Sequence, residues 1–251
     1  MKKAGFYRSF RSVVRDVHAV AGRALSVTIT IAALTWAPFT QAAPVTLVGD
    51  TVSYQYDDSQ AAIGLFGVPV ISGDVIRFLP ATFRAQSLNG DGADLMSSTF
   101  LFDRVYTNSG ADIAGIRTVE EGDYRIIGDG FVSADLSLRA SNNNDFTESV
   151  SDSDSISASG TSGFQEFSLS AGFNVAESFE SPANDIALAI GNDLLAITDA
   201  NGEVAWVQKK LSFTAVSQVP IPAAAGLFMS ALMGLLLVGR RKARVAAAAT
   251  A

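Results

Sequence analysis

Between residues 43 and 218 the chain alternates apolar and polar side chains with a period of two, in many short pieces. Thr51 to Tyr56, Val132 to Leu138 and Phe167 to Phe173 follow this pattern, which sets one face of an extended chain in a core and the other in water. Further strands are expected at Val75 to Phe83, Thr99 to Tyr106, Tyr124 to Ile127, Ile186 to Ile190, Leu194 to Thr198, Val204 to Gln208 and Leu211 to Val216. Turn-forming residues stand between them: Asn89-Gly90-Asp91-Gly92, Asn108-Ser109-Gly110, Gly128-Asp129-Gly130, Gly191-Asn192-Asp193 and Asn201-Gly202. No stretch of this domain carries a useful helical period. The expected fold is all-β, an antiparallel β-sandwich of jelly-roll-like kind.

The two ends have a different texture. Residues 1–42 have the anatomy of a signal peptide: Lys2, Lys3, Arg8, Arg11, Arg15 and Arg23 precede an apolar run from Ala24 to Ala37, and small residues follow. Signal peptidase is expected to cut between Ala42 and Ala43, because a cut after Ala43 would place Pro44 next to the scissile bond. At the other end, no charged residue occurs from Ile221 to Gly239. As a transmembrane helix that stretch would reach about 28 Å, close to the hydrocarbon thickness of a bilayer. Arg240, Arg241, Lys242 and Arg244 follow as a basic stop-transfer cluster, held on the cytoplasmic side of the inner membrane. Gly226, Ser230 and Gly234 give that helix a small-residue face suited to close helix packing.

The order of motif, apolar span and arginines in residues 219–251 resembles the PEP-CTERM class of bacterial sorting signals, in its VPLPA-type variant. The matching residues are Val219, Pro220, Ile221, Pro222 and Ala223, with Ile221 where leucine is usual, followed by the span and by Arg240, Arg241 and Lys242. The chain also continues for several residues past the arginines, where members of that class tend to stop. The resemblance implies recognition by an exosortase, a membrane-embedded cysteine transpeptidase. It further implies delivery to the cell surface or extracellular matrix of a Gram-negative bacterium.

Between the two ends, eight Lys and Arg side chains face twenty-four Asp and Glu, a net charge of −16. Such a surface keeps the domain soluble and repels nucleic acid. The chain has no cysteine, and its one histidine, His18, lies in the signal. Ser-His-Asp triads, cysteine nucleophiles and the usual Cys/His zinc sites are thereby excluded from the exported domain. Without disulfides, burial alone must hold the fold.

Four further stretches carry alternatives. Residues 141–163 are rich in Ser, Asn, Asp and Thr, with serine at every second position from Ser149 to Ser159, and are expected to form a solvated loop. Asn89 to Asp94 offers clustered oxygens for calcium, yet Ala93 and Asp94 break the calcium-loop pattern and a plain hairpin turn fits better. Glu120, Glu121 and Asp123, taken to share a loop, are candidates for carboxylate-only glycoside hydrolysis. Tyr54, Tyr56, Tyr106, Tyr124 and Trp206 offer either a sugar-stacking platform or core packing. No residue set amounts to a catalytic or metal-ligating assignment. The expected function is that of a non-enzymatic surface or matrix protein, with a carbohydrate-binding module of the exopolysaccharide matrix as the first alternative and a carboxylate-only glycoside hydrolase as the second.

Overall fold

The structure is a computed structural model and describes residues 44–219. The expected signal peptide with Ala42 and Ala43, the expected motif residues Pro220 to Ala223, the apolar stretch, and Arg240, Arg241, Lys242 and Arg244 lie outside the described residues.

Twelve strands and two single-turn helices make up the described chain. The strands are β1 (Val45–Val48), β2 (Val52–Tyr56), β3 (Val70–Ser72), β4 (Val75–Phe78), β5 (Arg84–Leu88), β6 (Gly92–Thr107), β7 (Ile113–Ile127), β8 (Phe131–Asn142), β9 (Ser149–Ser159), β10 (Gly163–Asn174), β11 (Asp185–Thr198) and β12 (Val204–Gln218). The helices are α1 (Ile63–Phe66) and α2 (Val175–Ser178). Two antiparallel sheets face each other across one core. The first runs β1-β2-β6-β11-β8-β9, and the second β10-β7-β12-β4-β3, with β5 also on β12. β5 pairs with Val204–Gln208 of β12 and β4 with Ser212–Ala215, so the two occupy successive stretches of one edge. The pairings nest, β5 with β12, β6 with β11, β7 with β10 and β8 with β9.

The core is aromatic at one end. Phe100 stands 4.8 Å from Phe78, 5.0 Å from Phe102, 5.5 Å from Tyr56 and 5.8 Å from Phe66 between ring centroids. Tilted and edge-on pairs of this kind add to the burial of their area. Tyr54 shares the cluster and donates its hydroxyl to the Asp74 carbonyl at 2.6 Å, which satisfies its polar end. Burial, followed by the nearby Asp74 charge, pushes the Tyr54 phenol far above its usual range.

Several strand boundaries differ from the sequence expectation. β4 stops at Phe78 instead of Phe83, where Leu79-Pro80 follows and Pro80 has no N–H to offer the ladder. Gly191-Asn192-Asp193 is not a turn: it lies inside β11, paired on both sides through β6 and β8. The same correction joins Val204 to Gln208 and Leu211 to Val216 into β12, across a bulge between Lys209 and Leu211. Glu120, Glu121 and Asp123 belong to β7 and not to a loop.

Residues 149–159 are likewise a strand, β9, in register with β8 along its whole length. Serine occupies the outward positions, while Val150, Ile156 and Ala158 pack against the core. Two inward positions are aspartates with a structural task. Asp154 Oδ2 accepts the Ser170 N–H and Asp152 Oδ2 the Gly172 N–H, each at 2.8 Å. The edge of the first sheet thereby caps free N–H groups on the edge of the second, which closes a boundary otherwise open to strand addition.

Candidate functional site

The outer face of the second sheet carries the most varied surface chemistry. Register aligns Gln86, Trp206, Arg125 and Phe164 in one row across β5, β12, β7 and β10, and Arg84, Gln208, Asp123 and Glu166 in the next. Phe164 is 54% exposed and its ring centre lies 6.1 Å from that of Trp206. The Arg84 guanidinium sits 4.5 Å from the Trp206 ring centre. The β12 bulge adds Lys210 to this face, where its ammonium pairs with Asp123 and stands 5.3 Å from the Phe164 ring centre. An open groove of about 640 Å³ runs alongside, lined in part by Leu79, Glu121, Glu166, Ser168, Lys210 and Leu211.

Two polar atoms in this region lack a hydrogen-bond partner although they are buried: Asp123 Oδ1 and Arg84 Nε. One is an acceptor and the other a donor, and both belong to the row next to Trp206 and Phe164. Buried polar atoms left unpaired are costly. A hydroxyl group, which both donates and accepts, has the chemistry to meet either of them.

The residues singled out in the sequence are dispersed by the fold. Tyr54 and Tyr56 are buried in the core and Tyr124 packs against it, while Tyr106 lies on the first sheet with the Arg104 guanidinium 4.8 Å from its ring centre. The five aromatics therefore make no platform; Trp206 alone reaches the decorated face, and its neighbour there is Phe164. Period two divides the acidic trio as well. Glu120 points into the core, Glu121 lines the groove and Asp123 is held by Lys210. Asn89 to Gly92 forms the β5–β6 turn, with Asn89, Gly90 and Gly92 all at positive φ, and Asp94 Oδ2 accepts the Gln86 N–H at 2.7 Å. Among the described residues no group of three or more carboxylate, histidine or cysteine side chains is placed to hold a metal ion. Of the residues expected to form a sorting motif, Val219 is described, and its N–H donates to the Asp112 carbonyl at 2.8 Å.

A second polar cluster lies between the sheets. Lys209 of β12 and Glu120 of β7 are fully buried, and Asn192 of β11 nearly so. Lys209 Nζ stands 2.9 Å from Glu120 Oε2 and donates to Asn192 Oδ1. Asn192 Nδ2 donates to the Gly191 carbonyl at 2.8 Å, and Glu120 Oε1 has no partner. Aromatic rings enclose the ammonium, Phe66 at 4.3 Å and Phe83 at 5.7 Å from their centres. Burial drives the Glu120 carboxyl above its usual range and the Lys209 amine below, each opposed in part by the other's charge. Both shifts favour the neutral pair. Nothing in the sequence marked Asn192 except its misleading resemblance to a turn residue.

No family model matches the chain, and no curated protein matches it. Among solved structures, TmCBM61 in complex with β-1,4-galactotriose aligns at 10% identity, covering 60% of this chain and 90% of its own, with a TM-score of 0.23. A structure described for the promiscuous specificity of carbohydrate-binding modules from the β-sandwich superfamily aligns at 9% identity. It covers 72% of this chain and 87% of its own, with a TM-score of 0.14.

Proposed function

We propose that this chain is an exported, non-catalytic jelly roll that holds a neutral polysaccharide on the outer face of β5, β12, β7 and β10. The nested pairing of strands β5 through β12 supports the jelly-roll reading, with β1 to β4 added at its edges. The observation that carries the binding role is the adjacency, on one face, of Trp206 and Phe164 with the unpaired Asp123 Oδ1 and Arg84 Nε. A sugar ring offers an apolar C–H face to aromatic side chains and a rim of hydroxyls to planar polar groups. Lys210, half exposed over Asp123 and Phe164, is long enough to swing aside for a ligand. An acidic domain repels anionic polymers, which favours a neutral chain. Affinity electrophoresis through neutral polysaccharides tests this: wild-type protein is retarded by at least one of them, and Trp206→Ala with Phe164→Ala abolishes the retardation. Equal retardation of the double variant would place binding elsewhere.

The same proposal assigns delivery to the C-terminal segment. Val219 to Ala223 would be presented to an exosortase-type transpeptidase at the outer side of the inner membrane, while Arg240, Arg241, Lys242 and Arg244 hold the helix in orientation. Support for this is the order of motif, span and basic cluster in the sequence. Intact mass of protein from the surface of its host is expected to lack the tail, and Pro220→Ala with Pro222→Ala to retain it. A wild-type protein that keeps its tail would reduce the segment to a membrane anchor.

A further inference from the structure

The exported domain contains two lysines, Lys209 and Lys210, adjacent in sequence. Lys210 is half exposed on the sheet face, whereas Lys209 is sealed in the core against Asn192 and Glu120. A buried ion pair of this kind is a poor way to gain stability, because desolvation offsets the attraction. Asn192 is also anomalous, since it replaces an apolar residue in the inward series Ile186, Leu188, Ile190, Leu194 and Ala196. What the three groups share is reactive geometry: an amine against a carboxamide, with a carboxyl group beside the amine, in a site closed by Phe66 and Phe83.

We propose that Lys209 and Asn192 become joined by an intramolecular amide bond that the fold itself forms, with Glu120 as general acid and base. The neutral Lys209 amine attacks Cγ of Asn192 as the Glu120 carboxyl gives its proton to Nδ2; the Cγ–Nδ2 bond breaks, ammonia leaves, and the Glu120 carboxylate takes a proton from Nζ. A primary amide and a primary amine thus give a secondary amide and ammonia; nothing is oxidised or reduced, and Glu120 ends in its starting state. Three features favour the step. Burial against Phe66 and Phe83 shifts both amine and carboxyl toward their neutral forms. The hydrogen bond from Nδ2 to the Gly191 carbonyl leaves Oδ1 turned to Lys209. Fixed proximity replaces the entropy cost of bringing two reactants together.

The bond would tie β11 of the first sheet to β12 of the second, closing a loop of 17 residues in sequence separation. It would give an exported chain without cysteine a covalent cross-link that no reductant can open.

Peptide mapping of the folded full-length protein tests the proposal. No Lys or Arg lies between Arg139 and Lys209, so trypsin is combined with a protease that cuts after glutamate, Glu180 and Glu203 being the relevant sites. Residues 181–203 are expected to stay attached to residues 204–210, in a product lighter by one ammonia than its two parts. Fragmentation should locate the link at Asn192 and Lys209. Glu120→Gln, of the same shape, should fold with an unchanged circular dichroism spectrum and yield two separate peptides of full mass. Separate peptides from folded wild-type protein overturn the proposal, and a linked product from folded Glu120→Gln overturns the role of Glu120.

Discussion

Replacing Asp152 and Asp154 together by alanine would uncover two N–H groups on β10 that have no other partner in the sheet. Each bond is made at 2.8 Å, Asp154 to Ser170 in a part-buried setting and Asp152 to Gly172 at an exposed one. Hydrogen bonds to charged acceptors contribute about 1.5–3 kcal/mol. The part-buried bond therefore counts for about 1.5 kcal/mol, and the exposed one, screened by water, for about 0.5–1 kcal/mol. The double variant should lose roughly 2–2.5 kcal/mol, which for a domain of this size lowers Tm by about 5–8 °C. Urea titration followed by tryptophan fluorescence measures the loss. Asn at both positions keeps an acceptor but not the charge and should lose about half as much. Uncovered N–H groups should also promote concentration-dependent association, visible by light scattering. A double alanine variant within about 0.5 kcal/mol of wild type would show that the edge is closed by other means.

Asp74 makes a pH-dependent clamp, accepting the Thr51 and Val52 N–H groups at 2.7 and 3.0 Å and the Thr51 hydroxyl at 2.6 Å. Burial raises its carboxyl, but these hydrogen bonds outweigh that effect and hold it below the usual aspartate range. The folded value is lower than the unfolded one, so the clamp is complete above the unfolded value and is lost as pH falls through the folded value. Asp74→Ala should cost on the order of 1–2 kcal/mol at neutral pH and progressively less in acid, and urea midpoints across that range check it. A cost independent of pH would contradict the assignment. Gly122→Ala should destabilise by about 3 kcal/mol, because a Cβ there would lie 2.3 Å from both the Gln208 carbonyl and the Phe167 ring. Thermal melting measures this, and an unchanged Tm would mean that both the Gln208 backbone and the Phe167 ring give way without cost.

Period-two patterning was enough to place the sandwich, since Tyr54, Tyr56, Phe100, Leu136, Leu138 and Leu169 are buried where alternation puts them. It failed where polar residues occupy inward positions. Asp152 and Asp154 made β9 look too hydrophilic for a strand, although their carboxylates are spent on the backbone of β10. The every-second serine spacing was itself the strand signal. Asn192, after Gly191, imitated a turn because local composition cannot reveal a lysine arriving from the facing sheet. Glu120, Glu121 and Asp123 were grouped by proximity in sequence, and β7 sends them to opposite faces. The decorated face was half legible: Trp206 was named, but Phe164 precedes the alternating run of β10 and its partnership arises only from register through β7.

Chemical-shift mapping tests the binding role most directly. Isotope-labelled domain, residues 43–219, would be titrated with neutral oligosaccharides prepared from the matrix of the host. The account predicts saturable shifts of the Trp206 indole N–H, the Arg84 Nε–H and the backbone of residues 123–125 and 164–166, with the outer face of the first sheet unchanged. Shifts confined to β6, β11 and β8, or none with any matrix saccharide while the domain remains folded, would contradict it.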